Sequence, residues 1–150
     1  MGNFDDKIRA LRYFVDTNLN ATIRETVEDN EFEIAQMNAN EQLYGLGIDR
    51  NGIDIYEQIP YAQFTIEIKT AKNQPTDRVT LRDTGDFHRN FYVSANETSF
   101  EISSTDEKTE EILRKYGDSI FGLTDENLNE IIHDKIKPEI IYALKRDIRI

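Results

Sequence analysis

The strongest constraint on the fold is an apolar ladder near the end of the chain. Leucine or isoleucine occupies every fourth position at Leu128, Ile132, Ile136, Ile140, Leu144 and Ile148. The spacing predicts a helix, but each step of four residues turns about 40° beyond a full rotation, so the six side chains cannot all face one flat partner. Pro138 stands in the middle and is expected to kink or restart the helix, because proline lacks the backbone N–H that a helix interior needs.

The ladder is therefore expected to have two partners. Its first half, Leu128 to Ile136, is expected to pack on the sheet of its own subunit. Its second half is expected to pack on the N-terminal helix or on a neighbouring chain, and Ile141 and Tyr142 favour the neighbouring chain because they widen the apolar surface. The candidate interface residues are Ile140, Leu144 and Ile148.

The first half of the chain has mainly helical patterns. Apolar residues spaced as in amphipathic helices predict one helix over about 4–17, interrupted at Asn18 and Asn20, and another over about 21–45, ended by Gly45 and Gly47. Residues 46–60 are predicted to form a loop. Residues 61–72 fit a helix and a strand equally well.

The second half mixes strands and helices. Residues 78–82 are predicted to form a short strand, and residues 91–93 and 99–103 a hairpin. A helix is expected from Thr105 to about Tyr116, and Thr124 is expected to cap the final helix. This order predicts a single α+β domain over residues 1–150, with a small antiparallel sheet packed by long N- and C-terminal helices.

The charge is strongly negative and unevenly spread. The net charge is −11, and no lysine or arginine occurs between Glu25 and Asp49. Such a chain repels phosphate backbones, which argues against tight binding of nucleic acid. The plain interpretation is a solvated acidic helix face. Sharper alternatives are a face that lines a DNA passage or meets other charged subunits, and a mimic of DNA; the candidate lumen residues are Glu25, Glu28, Asp29 and Glu33.

The sequence offers little for catalysis or cofactor binding. There is no cysteine, and His88 and His133 stand far apart without metal-ligand spacing. No glycine-rich phosphate loop is present. We therefore expect no cofactor, no metal and no enzymatic activity. No apolar run approaches the roughly 18 residues of a membrane span, so we expect no membrane partner.

One motif, Asp83-Thr84-Gly85, has two interpretations. It matches the catalytic signature of aspartic proteases, in which two carboxylates share a proton and a homodimer supplies both. However, those proteases are nearly all β, and Arg82 precedes the motif where they have an apolar residue and would hold the aspartate charged. The favoured interpretation is a structural turn, with Asp83 and Thr84 bonding nearby backbone N–H groups and Gly85 supplying an unusual φ/ψ.

Three blocks in this order resemble the virion-morphogenesis, or tail-completion, proteins of tailed phages. The first is the strand-like segment 79–82 with Asp83-Thr84-Gly85 and the apolar positions Phe87 and Phe91. The second is the segment 116–126, with an apolar residue and Gly-Leu before the Thr and acids that open the last helix. The third and looser block is Gln42-Leu43-Tyr44 with Gly52, Tyr61 and Lys69.

The resemblance implies a structural subunit of a head–tail connector or tail-completion ring, commonly six-fold, through which the genome passes. Its partners would be copies of itself, the adjacent neck and tail proteins, and double-stranded DNA that is not tightly bound. Its location would be the neck or tail of the virion, after assembly in the host cytoplasm. The alternatives are an acidic inhibitor that imitates DNA and a dimeric aspartic protease acting through Asp83.

Overall fold

The computed structural model describes residues 3–149, and the chain begins with a long helical arm. Helix α1 (Phe4–Tyr13) starts at Asn3, whose side chain accepts the Asp6 N–H while the Asp6 carboxylate accepts the Asn3 N–H. A π-helical turn (Phe14–Asn18) joins α1 to α2 (Leu19–Asp29). The expected interruption at Asn18 and Asn20 is wrong, since the Asn18 amide donates to Asp147 at 2.8 Å instead of competing for the local backbone.

The acidic stretch continues as a second helical unit. Helix α3 (Glu31–Gln36) and a π-helical segment (Met37–Leu46) follow α2 after the single non-helical residue Asn30. Gly47 ends the unit with φ 65°, which confirms the predicted helix end. A Cβ at Gly47 would lie 2.7 Å from the Cβ of Arg78, so glycine also allows a close approach of the two chain segments.

The predicted loop 46–60 contains an unpredicted short helix. The Asp49 side chain accepts the N–H groups of Asn51 at 2.8 Å and Ile53 at 3.0 Å, and thereby closes a tight turn. Helix α4 (Ile55–Gln58) then starts at Asp54, which caps it. The ambiguous segment 61–72 is helical, as α5 (Gln63–Ala71).

The predicted strand 78–82 does not form. Val79 and Thr80 are fully buried, but the Thr80 N–H donates to the Tyr61 hydroxyl at 3.1 Å rather than to another strand. Leu81 has a φ of 54°, which is incompatible with a β ladder. The segment is an extended connection that runs into the short helix α6 (Asp86–Arg89).

The predicted hairpin is confirmed. Strand β1 (Phe91–Ala95) pairs antiparallel with β2 (Phe100–Ser104), with Phe91 opposite Ser104 and Val93 opposite Ile102. On the other side of β1, the Val93 N–H donates to the Glu31 carboxylate at 3.0 Å. Helix α3 thus packs on β1 and occupies a strand edge that would otherwise be open.

The C-terminal region is helical. Its elements are α7 (Thr109–Tyr116), a 3-10 turn (Asp118–Ile120), α8 (Asp125–Ile131), a π-helical turn (Ile132–Ile136) and α9 (Lys137–Ile148). Thr124 caps α8 as predicted, accepting the Asn127 N–H at 3.3 Å. Pro138 stands in the first turn of α9, directly after the π-helical turn, so an α-helix restarts at the proline as expected while the backbone stays helical.

The ladder is buried differently from the prediction. Ile136 is buried and Leu128 half-buried, but Ile132 is 39% exposed, and the core position belongs to Ile131 at 1%. The π-helical turn is wider than an α turn and so changes the phase of a strict four-residue repeat. This turn packs on α2, and α9 packs on α1 and α2.

One hydrophobic cluster joins the helices to the hairpin. It includes Val27, Ile34, Leu43, Val79, Phe87, Phe91, Ile102, Ile120, Phe121, Ile131 and Ile136. At its centre, the Phe91 ring packs on Phe87 at 5.0 Å and on Phe121 at 5.2 Å between centroids. The protein is therefore a small α+β fold, 64% helical, with a two-stranded antiparallel sheet and helices at both ends.

Candidate functional site

The Asp83-Thr84-Gly85 segment forms a turn that leads into α6. Gly85 has a φ of 92° and is buried. The Thr84 hydroxyl accepts the Asp86 N–H at 3.3 Å and donates to the Asp86 carboxylate at 2.8 Å. A Cβ at Gly85 would lie 3.0 Å from a guanidinium nitrogen of Arg89, which pairs with Asp86. The predictions for Thr84 and Gly85 in this turn are thus confirmed.

Asp83 has a different role from the expected one. Its carboxylate accepts a hydrogen bond from the Lys72 ammonium at 2.6 Å instead of from backbone N–H groups, and its carbonyl oxygen accepts the Gln74 amide at 2.9 Å. Both partners follow α5, where Asn73 with a φ of 54° reverses the chain and brings them to the turn. The hydrogen bond from Lys72 lowers the pKa of Asp83.

This environment is opposite to that of a proton-sharing carboxylate. In an aspartic protease, one member of the pair has a raised pKa because two like charges lie together. In this chain a cation stabilises the charged form of Asp83, and both side chains of the pair are about half exposed. Asp83 is thus suited to fastening the turn to the end of α5.

A cleft of about 320 Å³ lies beside the turn. Lys69 on its wall is only 8% exposed, and its ammonium donates to the Arg82 carbonyl at 3.4 Å and lies 5.1 Å from the centroid of the Tyr61 ring. Burial lowers the pKa of Lys69, and the Asp83 carboxylate partly opposes this. Burial likewise raises the pKa of Tyr61 and of Tyr116, which also line the cleft.

Two buried amides, whose hydrogen-bonding role the sequence analysis did not predict, hold the loop before α8. Asn38 donates to the Ile120 carbonyl and accepts the Gly122 N–H, both at 2.9 Å. Gln42 donates to the Gly122 carbonyl and accepts the Thr124 N–H, again at 2.9 Å. The available signal was two amide residues four positions apart inside an otherwise apolar helical stripe, since such a pair faces the core and needs polar partners.

The three sequence blocks therefore meet in space. Gln42 of the third block bonds the segment 122–124 of the second, while Tyr61 and Lys69 of the third block bond the segment 80–82 of the first. Phe87 of the first block packs on Phe121 of the second at 5.8 Å. Residues about 80 positions apart are thus tied by direct contacts.

The candidate acidic face is exposed, but part of its charge is paired within the chain. Glu25, Glu28, Asp29 and Glu33 all lie at the surface of α2 and α3. Glu33 forms an ion pair with Lys135 at 3.0 Å, and Glu28 lies 3.9 Å from Arg24. The positions with no such pair in the described residues are Glu25 and Asp29.

The candidate interface residues Ile140, Leu144 and Ile148 are half-buried within the subunit. They lie on the inner side of α9, with buried Ala143 and with Asp147, which bonds Asn18 of the N-terminal arm. The exposed apolar residues of α9 are instead Ile141 and Tyr142, at 41% and 66%. Contact of the inner residues with a neighbouring chain stays a prediction.

His88 is a second feature that the sequence did not reveal. It is 5% exposed, packs on Phe87 and Phe91, and neither ring nitrogen has a hydrogen-bond partner in the described residues. Burial lowers its pKa to about 4, although the nearby Thr80 backbone partly opposes the shift. His133, in contrast, is exposed as expected.

Comparisons with known proteins add no relative. No protein-family model, no curated protein and no solved structure matches the chain. Within residues 3–149, no group of three or more histidine, aspartate or glutamate side chains is arranged to hold a metal ion. Over the same residues, no helix combines the length and the apolar character needed to cross a membrane.

Proposed function

We propose that the chain is a structural subunit of a phage head–tail connector or tail-completion ring, which joins the capsid neck to the tail and lets the genome pass. The observation that carries the proposal is the contact between the three sequence blocks that resemble the tail-completion family. Side chains of the looser block, Gln42, Tyr61 and Lys69, form hydrogen bonds with the other two blocks.

Surface apolarity supports an assembled state. Large apolar side chains stay exposed in the single subunit, among them Phe4 at 77%, Phe32 at 78%, Phe64 at 72%, Tyr142 at 66%, Tyr13 at 62% and Leu46 at 61%. Apolar side chains that the single subunit leaves uncovered are available for burial in contacts with other subunits. The proposed partners are further copies of the chain in a ring, commonly six-fold, and the adjacent neck and tail proteins.

The net charge supports the part of the proposal in which the genome passes through the ring. With a net charge of −11, the subunit repels phosphate groups, and a DNA passage works only if the DNA does not stick to its wall. The proposed role needs no cofactor and no catalytic residue. The proposed location is the neck or tail of the virion.

The second candidate function is an acidic protein that imitates DNA and inhibits a basic enzyme. The observation that favours it is the exposed carboxylate row of Glu25, Glu28 and Asp29. The two ion pairs at Arg24 and Lys135 reduce the number of free charges on this surface. Such an inhibitor would also act as a free protein and would be absent from particles.

Gene disruption tests the proposal. A stop codon early in the gene, in the phage genome that carries it, is expected to yield DNA-filled heads and separate tails in electron micrographs. A plasmid copy of the wild-type gene should restore joined particles. Normal infectious particles without the chain would contradict a connector role, and normal particles together with loss of resistance to a host nuclease would favour the DNA mimic.

A further inference from the structure

An exposed phenylalanine stands inside the acidic face. Phe32 is 78% exposed, and the exposed residues Glu25, Glu28 and Asp29 precede it by seven, four and three positions. Asn30 separates α2 from α3: its N–H donates to the Thr26 carbonyl in the last turn of α2, and its carbonyl accepts the Ile34 N–H in the first turn of α3. The four exposed side chains lie close together along the chain around this one non-helical residue, and we call them the acidic knob.

A groove on the C-terminal helix has the opposite charge. Its lining residues are His133, Lys137, Pro138, Ile141, Tyr142 and Lys145. The lining includes the two exposed apolar side chains of α9, Ile141 and Tyr142, together with two lysines. Among the described residues, neither Lys137 nor Lys145 belongs to a salt bridge. We call this surface the basic groove.

We infer that the acidic knob of one subunit docks in the basic groove of a second copy of the same chain. The inference rests on the proposed ring and deepens it by naming the contact that closes it. In this contact Phe32 is the aromatic anchor against Ile141 and Tyr142, and the carboxylates of the knob face Lys137 and Lys145, as in interfaces with an apolar centre and a polar rim. Opposite charges favour docking of a knob in a groove, whereas two acidic knobs repel each other.

The two surfaces do not fill each other within one subunit. Glu33 beside Phe32 pairs with Lys135 near the groove, but the groove itself lies on the exposed side of α9. An exposure of 78% also means that Phe32 fills no groove of its own subunit. Because knob and groove are different surfaces, one copy can dock on the next in a head-to-tail contact, and repeated copies then close into a ring when the rotation allows it.

This inference gives the acidic face a partner. Of the two expectations for that face, a DNA-facing wall and a face toward other charged subunits, it selects the second for Glu25, Glu28 and Asp29. The two expectations predict different results for the purified chain in solution without DNA. Only a contact between subunits makes assembly in that solution depend on these carboxylates.

The first experiment compares matched variants by sedimentation velocity over a concentration series. Phe32→Ala and Ile141→Glu are each expected to weaken assembly about 30-fold or more, as loss of an interface anchor does. The controls are Phe64→Ala and Ile68→Glu on α5, which remove side chains of the same types at exposures of 72% and 39%, close to those of Phe32 and Ile141. Both controls should assemble like the wild type, and all four variants should keep the wild-type thermal transition.

The second experiment mixes the two defective variants. Phe32→Ala keeps an intact groove and Ile141→Glu keeps an intact knob, so one good contact remains between them. An equimolar mixture should give a heterodimer and nothing larger. In addition, Glu28→Lys with Asp29→Lys should weaken assembly, and salt between about 0.05 and 0.5 M should weaken wild-type assembly because it screens rim charges.

Three results would overturn the inference: unchanged assembly of Phe32→Ala or Ile141→Glu, equal loss in the α5 controls, and a wild-type chain that stays monomeric up to about 100 µM. The first two, found together with a wild-type ring, would leave the proposed function standing and remove only this interface. If particles form normally without the chain, but assembly of the purified chain still depends on the acidic knob, the proposed function is wrong and the interface stands.

Discussion

Gln42 holds Gly122 and its neighbours in a buried site where two distant parts of the chain meet. Its amide nitrogen donates to the Gly122 carbonyl at 2.9 Å, and its oxygen accepts the Thr124 N–H and the Asn127 amide at the same distance. Gln42 itself is 1% exposed. The start of the C-terminal helices is thus fixed by a side chain of the acidic helical unit.

The first prediction follows from this relationship. Gln42→Leu keeps the approximate volume but removes the partner of the Gly122 carbonyl, of the Thr124 N–H and of the Asn127 amide. Each unsatisfied buried group costs about 1–3 kcal/mol. We expect the free energy of unfolding to fall by about 3 kcal/mol, measured by urea denaturation. The control is Gln63→Leu on the exposed surface of α5, which should change it by less than about 0.5 kcal/mol. Equal effects of the two substitutions would contradict the role of Gln42.

A second prediction concerns Asp83. Asp83→Asn removes the ion pair with Lys72, whose side chains are about half exposed, and such pairs contribute less than about 1 kcal/mol after solvent screening. We expect a small loss of stability in thermal denaturation and no loss of peptide cleavage, since none should exist. Cleavage by the wild type that disappears in Asp83→Asn would instead support the aspartic-protease alternative.

A third prediction is a pH dependence that arises from His88. Because its pKa in the folded chain is about 4, below the unfolded value of 6.5, the unfolded state binds the proton more tightly. The stability from neutral His88 is complete above pH 6.5 and is lost as the pH falls toward 4, by about 2 kcal/mol at pH 5. Urea denaturation at pH 7 and pH 5 measures this loss.

His88→Leu isolates the contribution. The ring nitrogens have no hydrogen-bond partner among the described residues, so an apolar side chain of similar size leaves nothing newly unsatisfied. We expect the variant to lose about 2 kcal/mol less than the wild type between pH 7 and pH 5. The same pH dependence in both proteins would show that His88 does not titrate as described. Substitution of the exposed His133 is the control for removing a histidine.

A fourth prediction separates the two sides of α9. Leu144 lies half-buried on the inner side with Ala143, so Leu144→Asp places a carboxylate against the N-terminal arm and should destabilise the isolated subunit by about 2 kcal/mol or more. Ile141→Asp, on the exposed side, should leave the thermal transition unchanged. If Leu144→Asp kept its transition and lost only assembly, Leu144 would be the interface residue that the sequence pattern favoured.

Much of the fold could be predicted from local signals. The hairpin, the end of the acidic helical unit at Gly47, the Thr124 cap and the helix restart at Pro138 each depend on turn or cap chemistry that a few neighbouring residues determine. The predictions that were wrong concern residues whose conformation depends on long-range contacts. Asn18 stays helical because it finds Asp147, and residues 78–82 stay unpaired because Tyr61 takes the Thr80 N–H.

The candidate site likewise has features that neighbouring residues determine and features that depend on distant residues. The turn at Thr84 and Gly85 follows from residue type, whereas the partner of Asp83 depends on where α5 ends and places Lys72. The unpartnered nitrogens of His88 and the amide contacts of Asn38 and Gln42 exist only after the core has formed. Spacing in the sequence indicates which residues face inward, but not which atoms they meet there.

A cryo-EM reconstruction of the neck and tail end of the phage particle tests the central claim most directly. The account predicts a closed ring of copies of this chain, commonly six, around a central passage for DNA. In that ring, Phe32 of each subunit should lie against Ile141 and Tyr142 of the next. A particle that lacks the chain, or that holds one asymmetric copy, would contradict it.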